Sequence, residues 1–277
     1  MLALVTCADA VGLDTDLPLL TAHLDARVVV WDDRSIEWAE FDAVIVRSAW
    51  DYPARRDEFL GWASRVDEVS RLWNPLEILV WNTDKRYLAE LASAGLPVVP
   101  TWFVAPGDPL PSDLDLTGDV VVKPTVGIGS QGVVRATGDP DAARAQIAVL
   151  HGDGRVAMVQ PYREAIDAEG ETGLVYVGGR FSHAIEKSAI LASPIEWEGS
   201  LYAKELIRPR VPSAAQRALA DTVVAALAPT AYARIDLVPG GDGPEILEVE
   251  LTEPSLFLET APAAPEHAAA VFRNLAG

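Results

Sequence analysis

A glycine-rich stretch between two β-branched runs is the feature that most constrains the fold of this chain. It reads Val120-Val-Val-Lys-Pro-Thr-Val-Gly-Ile-Gly-Ser-Gln-Gly-Val-Val134. β-Branched residues favour strands and glycine permits a tight turn, so the pattern predicts a β-hairpin with a flexible tip. Backbone N–H groups at such a tip can approach anionic oxygens, and Lys123 would add a positive charge. We expect a lid over a phosphate chain; an ordinary hairpin with a glycine-rich turn is the alternative.

The glycine spacing also matches two nucleotide-binding motifs, and the sequence context argues against both. Gly127, Gly129 and Gly132 satisfy G-x-G-x-x-G. A dinucleotide-binding fingerprint needs a helix after the last glycine, whereas this chain continues as a strand. Protein kinases also cover ATP with a glycine-rich hairpin, but this chain lacks H-R-D and D-F-G, and its lysine precedes the loop. The prediction that remains is a hairpin lid of another kind.

Composition and charge narrow the function classes. With 277 residues, 49% of them hydrophobic, the chain can bury the cores of two or three packed subdomains. The net charge of -19 argues against nucleic acid and anionic membranes as partners, so a polyanionic substrate would need a local basic site. No apolar run approaches the ~18 residues that span a bilayer, and the apolar start lacks a basic signal-peptide region. We therefore expect a cytoplasmic protein, and a homodimer on base rates alone.

Cysteine and histidine usage argues against disulfide and zinc sites. The single cysteine, Cys7, excludes an internal disulfide framework and is expected to be a small buried hydrophobe. The four histidines show no H-E-x-x-H spacing.

The first 83 residues are predicted to form a small α/β unit. Strands are expected at 2–7, 27–31 and 43–47, with helices at 16–25 and 55–69. The third strand runs into a polar and aromatic loop at its carboxyl end, where open α/β sheets place ligand contacts. Candidate substrate-binding residues there are Arg47, Ser48, Trp50 and Asp51. The equally weighted alternative is that Arg47 pairs with Asp51 while the aromatic residues cap the core.

The remainder of the chain is predicted to form two further units, at 84–160 and 161–277. A helix capped by Asn82 or Thr83 ends at Gly95, and a helix at 140–150 precedes a strand at 156–160. Strands 171–177 and 180–187 form a hairpin that ends at Lys187. The segment 191–210, which contains Arg208, is expected to be a mobile loop over a site. Helices follow Ser213 and close the chain at 261–277.

A second hairpin is predicted to gather carboxylates. Two-residue periodicity places Arg234 and Asp236 on one face of the first strand, and Glu248 and Glu250 on one face of the second. Ile235, Leu237, Leu247, Val249 and Leu251 are then left for the core. Carboxylates held this close are costly without a cation, and hard oxygen ligands beside phosphates favour Mg²⁺. The alternative is a half-exposed strand whose arginine is a simple ion-pair partner.

Taken together, these motifs resemble the ATP-grasp superfamily of carboxylate-amine ligases over nearly the whole chain. The resemblance rests on an ordered set: Asp84-Lys85 before a helix, Val122-Lys123-Pro124 before the glycine lid, Lys187, Arg234-Ile-Asp236 and Glu248-Val-Glu250. It implies an ATP-grasp fold, α/β and α+β in class, with a Rossmann-like N-terminal domain. The segments 47–52, 181–184 and 253–258 look most similar to the branch containing the O-ureido-serine cyclo-ligase of cycloserine biosynthesis, alongside glutathione synthetase-like proteins.

The resemblance also implies roles for individual residues. ATP contacts would come from Lys85, Lys123, Gly127, Gly129, Ser130, Gln131, Gly132, Gln160, Tyr162 and Glu171. Lys187 and Arg234 would stabilise the transferring phosphoryl group, and two Mg²⁺ ions would be held by Asp236, Glu248 and Glu250. Two positions depart from the common pattern, because Glu250 stands where many members have asparagine and the hinge near Gln160 lacks the usual acidic residue.

The implied reaction joins a small carboxylate to an amine nitrogen. The carboxylate would attack the γ-phosphoryl group of ATP, and a nitrogen on a second substrate or in the same molecule would displace phosphate from the acyl phosphate. A small-molecule kinase and a non-catalytic nucleotide-binding module are the alternatives, to be separated by product analysis.

Overall fold

The computed structural model of the chain describes residues 1–189, 191 and 206–277, and the backbone alone of residues 197–198 and 202–203. Half of the loop expected at 191–210, namely residues 192–196, 199–201 and 204–205, lies outside the described residues, and its last four residues form a strand. The described strands form three sheets of four or five strands and one two-stranded pair. None of the described helices has the length and hydrophobicity that a bilayer-spanning segment requires.

The first sheet is parallel and lies in the N-terminal part of the chain. Its strands are β1 (Leu2–Thr6), β2 (Ala26–Val30), β3 (Ala43–Ser48) and β4 (Leu72–Trp73), and its helices are α1 (Asp16–Thr21), α2 (Arg56–Asp67) and α3 (Leu76–Asn82). The strand order is β2-β1-β3-β4. β1 and β3 are buried along their whole length, as expected for central parallel strands covered on both faces. Their carboxyl ends meet at one edge of the sheet.

The second sheet is antiparallel and carries the glycine-rich hairpin. Helix α4 (Tyr87–Ser93) precedes strands β5 (Trp102–Val104), β6 (Asp119–Pro124) and β7 (Val134–Thr137), and α5 (Pro140–Gly152) and β8 (Ala157–Pro161) follow. The strand order is β5-β8-β6-β7. Helix α5 begins at an Asp139 cap, whose side chain accepts from two backbone N–H groups, and packs its apolar face on this sheet.

The third sheet contains the carboxylate hairpin. It follows helix α6 (Ile166–Glu169) and comprises β9 (Glu171–Val177), β10 (Arg180–Lys187), β13 (Ile207–Arg210), β14 (Tyr232–Pro239) and β15 (Pro244–Glu250). Strands β11 (Trp197–Glu198) and β12 (Tyr202–Ala203) form the separate pair. Helix α7 (Ala214–Ala226) starts with a capping box at Ser213, and α8 (Ala264–Leu275) ends the fold. The sheet order is β13-β10-β9-β14-β15.

The first and third sheets share one hydrophobic core. Leu4 and Ile45 of the first sheet pack in the same cluster as Val175 and Tyr232 of the third, and Phe272 of α8 closes that cluster. In a separate cluster, the side chains of residues 126 and 128 at the glycine-rich tip pack against the core of the first sheet. The N-terminal sheet is therefore packed against both the third sheet and the tip of the glycine-rich hairpin.

Most predicted elements are confirmed, with three corrections. The β9–β10 hairpin has the predicted bounds, whereas α1 stops at Thr21, four residues earlier than predicted. Asn82 and Thr83 end α3 and do not cap the next helix, which starts at Tyr87. Leu247, predicted for the core, is half-buried: it packs against the small cluster around Val238 and also lines a cavity, because a bulge after Asp236 shifts the strand register. The domain boundaries at 83 and 160 stay predictions.

Candidate active site

A cavity of about 550 Å³ lies between the second and third sheets, and most predicted site residues line it. The lining includes Lys85, Lys123, Gly127, Gly129, Ser130, Gln131, Gln160, Tyr162, Glu171, Lys187, Arg234, Asp236, Glu248, Glu250 and Trp50. Five predicted residues, all within the described part of the chain, lie outside this lining: Arg47, Ser48, Asp51, Gly132 and Arg208.

Two basic side chains bond to the backbone of the glycine-rich lid, defined as residues 125–133. Lys85 Nζ donates to the carbonyl oxygen of Gly127 at 2.6 Å, and Arg155 Nη2 donates to the preceding carbonyl oxygen at 2.7 Å. The tip requires left-handed backbone, with φ of 56° at Gly129 and 64° at Ser130. Lys85 therefore lies where it can reach both the lid and a ligand beneath it. Arg155 was not identified from the sequence.

The β14–β15 hairpin surrounds one arginine with acceptors. Arg234 Nε and Nη2 donate to the two oxygens of Asp236 at 2.8 and 2.9 Å, and Nη2 also donates to Glu250 Oε1 at 2.5 Å. Its Nη1 donates to the carbonyl oxygen of Ser255 at 2.8 Å. Strand pairing sets this geometry, because Arg234 lies opposite Glu250 in the antiparallel register. The guanidinium is thus fixed in orientation on a wall of the cavity.

Two lysines on other strands pair with different carboxylates of the cavity. Lys123 Nζ on β6 lies 2.8 Å from Glu248 Oε1. Lys187 Nζ, at the end of β10, lies 3.2 Å from Glu171 Oε2 and 3.3 Å from Asp236 Oδ2. The second and third sheets are therefore bridged by opposite charges across the cavity.

These cations set the ionisation of two carboxyls. Burial acts to raise the pKa of Glu248, but Lys123 and Lys85 outweigh it and lower that pKa to about 2. Burial likewise opposes ionisation of Asp236, and Arg234 outweighs it and holds the pKa of Asp236 below its usual range. Both groups are carboxylates at neutral pH.

Two other carboxyls are harder to ionise. Burial, with Asp236 and Glu248 nearby, outweighs the attraction of Arg234 and raises the pKa of Glu250 to about 7. Burial and the neighbouring Glu250 raise the pKa of Glu253 to about 8. At neutral pH the cavity thus holds two carboxyls that are fully ionised, Asp236 and Glu248, and two whose pKa lies close to the pH, Glu250 and Glu253.

The carboxylates fit a hard cation in chemistry, whereas their present partners are basic side chains. Carboxylate oxygens are ligands that Mg²⁺ prefers. Across the described residues, no group of three His, Cys, Asp or Glu side chains is close enough to hold a metal ion. Asp236, Glu248 and Glu250 are bonded to lysine or arginine instead. Their role as metal ligands stays a prediction.

The residues of the predicted nucleotide hinge, Gln160 and Tyr162, line the cavity. Gln160 Nε2 donates to Thr101 Oγ1 at 2.9 Å, and the Tyr162 hydroxyl donates to Asp167. The guanidinium of Arg135 stacks on the Tyr162 ring, 3.5 Å from the ring centroid. Arg135 was not identified from the sequence, because the stack joins β7 to a residue after β8 and has no local signal.

The loop after β3 differs from the prediction. Arg47 is 1% exposed, and its Nη2 donates to the carbonyl oxygen of Pro254 at 2.8 Å and lies 3.4 Å from Asp16 Oδ2. In the alternative considered for this loop, the pairing of Arg47 with Asp51 is wrong, whereas Trp50 and Tyr52 do pack in the core of the first sheet. Asp51 instead accepts from Trp31 Nε1 at 2.8 Å, because both residues follow the carboxyl ends of their strands, β3 and β2, at the same edge of the sheet. Arg47 is directed into the protein and away from the cavity lining.

The other substrate candidates divide between buried, exposed and cavity-lining positions. Ser48 is fully buried and donates to Thr6 Oγ1 at 2.8 Å. Arg208 is exposed on β13, opposite Glu186. Of the five predicted substrate residues, Trp50 lines the cavity, and its Nε1 donates to the carbonyl oxygen of Glu253 at 3.1 Å.

Sequence reasoning missed the importance of residues 252–258, called here the braced segment. Buried side chains from distant parts of the chain bond its backbone: Trp50 to residue 253, Arg47 to 254, Arg234 to 255, Asp16 to 256 and 258, His183 to 256, and Tyr232 to 252. Glu253, Ser255 and Phe257 of this segment line the cavity. Its residues 253–258, Glu-Pro-Ser-Leu-Phe-Leu, had signalled only a family likeness.

Comparison with known proteins agrees with this geometry. A family profile described as "D-cycloserine synthetase DcsG, N-terminal domain" matches residues 2–74. The cycloserine biosynthesis protein DcsG of Streptomyces lavendulae is 39% identical, and the alignment covers 93% of each chain. The crystal structure of D-cycloserine synthetase DcsG superposes with a TM-score of 0.86 at 36% identity, over 99% of both chains.

More distant structures share the fold. D-alanine–D-alanine ligase from Bacillus anthracis, solved in complex with ATP, has a TM-score of 0.72 at 15% identity, over 99% of this chain and 96% of that one. An ATP-grasp RimK domain protein from Sphaerobacter thermophilus has a TM-score of 0.69 at 18% identity, over 98% of both chains. The glycine-rich lid and the carboxylate hairpin are consistent with the 39% identity to DcsG. The chain belongs to the DcsG family of ATP-grasp ligases, which are ATP-dependent enzymes that join a carboxylate to an amine nitrogen.

Proposed function

We propose that the enzyme activates the carboxylate of an amino-acid derivative as an acyl phosphate and closes it onto a nitrogen of the same molecule. The carboxylate oxygen attacks the γ-phosphorus of ATP and ADP leaves; the nitrogen then attacks the carbonyl carbon and inorganic phosphate leaves. The observation that carries the proposal is one cavity in which a glycine lid, three basic side chains and the carboxylate hairpin meet. Kinship with D-cycloserine synthetase supports a cyclic product of the cycloserine type.

The nucleotide is proposed to lie along the second sheet, beneath the lid. Lys85 and Lys123 would contact its phosphates, with backbone N–H groups of residues 127–132. Gln160 and Tyr162 would line the base, with Glu171 near the ribose. Two observations support this orientation: both lysines line the cavity beside the lid, and the stacked Tyr162 lies at the hinge.

Two Mg²⁺ ions are proposed to bind Asp236, Glu248 and Glu250. The support is chemical, since these oxygens line the cavity and two of the three groups are ionised at neutral pH. When bound, Mg²⁺ would neutralise the charge on the phosphate oxygens. Lys123 and Lys187 hold these carboxylates through flexible stems, so both can turn to the phosphates of ATP instead.

Lys187 and Arg234 are proposed to stabilise the charge that develops on the transferring phosphoryl group and on the tetrahedral carbon. Arg234 is already oriented by two carboxylates and a backbone carbonyl, so little reorganisation is needed during the reaction. Exclusion of water by the lid protects the acyl phosphate from hydrolysis. For contact with the substrate we retain Trp50, the one of its group of five candidates that lines the cavity.

The experiment that tests the proposal traps the activated carboxylate. The protein is incubated with Mg·ATP, hydroxylamine and a panel of carboxylates that includes both enantiomers of O-ureido-serine, serine and alanine, and hydroxamate and ADP are measured together. We expect hydroxamate and ADP in equal amounts with one substrate, and a cyclic product when hydroxylamine is omitted. ADP release with a stable phosphoester and no hydroxamate would refute the ligase mechanism.

The cellular compartment and the oligomeric state of the enzyme are also proposed. A cytoplasmic enzyme fits the use of ATP as co-substrate and the buried free thiol of Cys7. A homodimer is proposed on general frequency alone, and light scattering coupled to size-exclusion chromatography tests it.

A further inference from the structure

The carboxyl group of Glu253 differs from the buried and half-buried carboxyls of the carboxylate hairpin. Asp236, Glu248 and Glu250 each lie within hydrogen-bond distance of a lysine or arginine. Within the described ranges, the side chain of Glu253 has no hydrogen bond or ion pair, although it is half-buried and lines the cavity. Glu259 also lines the cavity but is exposed, so water solvates it. Glu253 is thus a half-buried carboxyl of the cavity that has no lysine or arginine within hydrogen-bond distance among the described residues.

An acidic side chain in this position is suited to binding a cationic group of a ligand. Partial burial of a carboxylate without a partner costs free energy, and that cost is recovered when a cation enters the cavity beside it. Burial and then the neighbouring Glu250 raise the pKa of Glu253, and the charges of Lys85 and Arg234 offset only part of this rise. A positively charged group of a ligand, placed beside the carboxylate, would lower that pKa and stabilise the ionised form.

The position of Glu253 is fixed to the degree that selective recognition requires. Trp50 holds its carbonyl oxygen at 3.1 Å, and Arg47 holds the carbonyl oxygen of the next residue, Pro254, at 2.8 Å. Two residues later, the Leu256 N–H donates to buried Asp16 at 2.6 Å. These bonds leave the Glu253 backbone little freedom, so its side chain samples a restricted part of the cavity.

We propose that Glu253 binds the α-ammonium group of the substrate and so makes the enzyme selective for amino acids over carboxylic acids without an amino group. This inference rests on the proposed function and extends it to substrate choice. In ring closure onto a side-chain nitrogen, the α-ammonium group takes no part in the chemistry and remains available as a binding handle. A carboxylate that accepts from an ammonium group forms a charge-assisted hydrogen bond, and a neutral analogue cannot replace it.

The test compares two substrates in three proteins. The substrates are the amino acid that the wild-type enzyme activates best and its analogue with hydrogen in place of the amino group. The proteins are wild type, Glu253→Gln and the matched control Glu68→Gln, whose side chain is exposed at the end of α2. Hydroxamate formation gives kcat and KM, and calorimetry with a non-hydrolysable ATP analogue gives the affinity for each carboxylate without turnover.

We expect Glu253→Gln to raise the KM and Kd for the amino acid about 10- to 100-fold, the usual range for loss of a hydrogen bond between charged groups. For the analogue lacking the amino group, the KM and Kd should stay within about twofold of wild type, and so should the KM for ATP. The Tm should be unchanged, as in Glu68→Gln. Glu253→Asp keeps the charge on a shorter stem and should recover part of the preference for the amino acid.

Three results would overturn the inference. An equal loss for both substrates, with a lower Tm, would assign Glu253 a structural role. A higher KM for Mg·ATP with unchanged substrate preference would make it part of the nucleotide or metal site. A wild-type enzyme that forms hydroxamate while Glu253→Gln keeps the full preference would refute this inference alone, whereas a wild type that activates no carboxylate would refute the proposed function and the inference with it.

Discussion

The carboxylate hairpin and the loop after β3 each present an arginine from a buried strand, and the two arginines have different surroundings. Arg234 faces two carboxylates on the wall of the cavity. Arg47 faces the backbone of the braced segment and one aspartate, Asp16, with its ring-stacking partner Tyr232 4.7 Å away. Both were candidates for substrate or phosphoryl contact. The difference teaches that the partners of a buried cation, more than its strand position, indicate whether it serves chemistry or architecture.

From this comparison we expect mutations in the two regions to change different quantities, turnover in one and the free energy of unfolding in the other. Changes at the hairpin should lower turnover more than they lower the free energy of unfolding. Changes at the loop after β3 should do the opposite, because Arg47 acts on the cavity through the backbone it supports.

The largest effect is expected at the hairpin. Glu248→Gln removes a carboxylate whose low pKa keeps it ionised, and with it the charge that complements Lys123 and a bound cation. We expect kcat to fall about a thousandfold or more, equivalent to about 4 kcal/mol, measured as ADP release with saturating substrates. The Tm should stay close to that of the wild type. Near-normal turnover would remove Glu248 from the metal-ligand assignment.

The second effect tests the loop after β3. Arg47→Met breaks a buried ion pair and leaves Asp16 with an uncompensated charge, so the free energy of unfolding should fall by about 3 kcal/mol in urea titrations. Two Arg47 donors, Nε and Nη1, lack partners among the described residues, so the loss should not exceed this range by much. A double-mutant cycle with Asp16→Asn should show coupling of about 1 kcal/mol or more. Unchanged stability with lost turnover would break the comparison.

A smaller effect concerns pH and His183, which holds the Leu256 carbonyl oxygen at 2.8 Å. Burial lowers the pKa of His183 from its ordinary value of 6.5, so the unfolded chain binds this proton more tightly than the folded one. The stabilising contribution is complete above pH 6.5 and is lost as the pH falls below it. Urea unfolding between pH 7.5 and 5.5 should show a steeper loss of stability in wild type than in His183→Gln. Equal slopes would contradict this assignment.

The smallest effect is expected at Asp51. Its contacts are Trp31 at 2.8 Å and Arg55 at 3.6 Å, both outside the cavity lining. Asp51→Asn should change the free energy of unfolding by no more than about 1 kcal/mol and leave the KM for ATP and the KM for the carboxylate unaltered. A clear rise in the KM for the carboxylate would return Asp51 to the substrate site and weaken the contrast between the two regions.

The hairpin could be predicted because strand geometry is strict. Alternation with a period of two placed Arg234 beside Asp236, and Glu248 beside Glu250, without knowledge of the rest of the chain. Leu247 departs from this alternation, because a bulge inserts one extra residue in β15. The presence of a bulge depends on how the two strands pair. A pattern within one strand carries no information about such a shift.

The loop after β3 could not be predicted because its partners are remote in sequence. The sequence placed Arg47 at the end of a strand, which is correct, and offered Asp51 as the nearby acid. The actual partners are Asp16, 31 residues away, and Pro254, 207 residues away. A choice between a near acid and a far one depends on tertiary packing, which a local pattern does not encode. Glu253 and the braced segment were missed for the same reason.

The bonds of the braced segment tie the start of the chain to its end. Asp16 accepts from the N–H of Leu256 across 240 residues. A ribosome delivers the N-terminal part first, so Asp16 and Arg47 wait for their partners until nearly the whole described chain has been synthesised. Closing so long a loop is slow, because its entropy is lost before the contact is gained. The lid and the N-terminal sheet are synthesised well before residue 253, so the part of the cavity that Glu253 lines is completed only after both have been made.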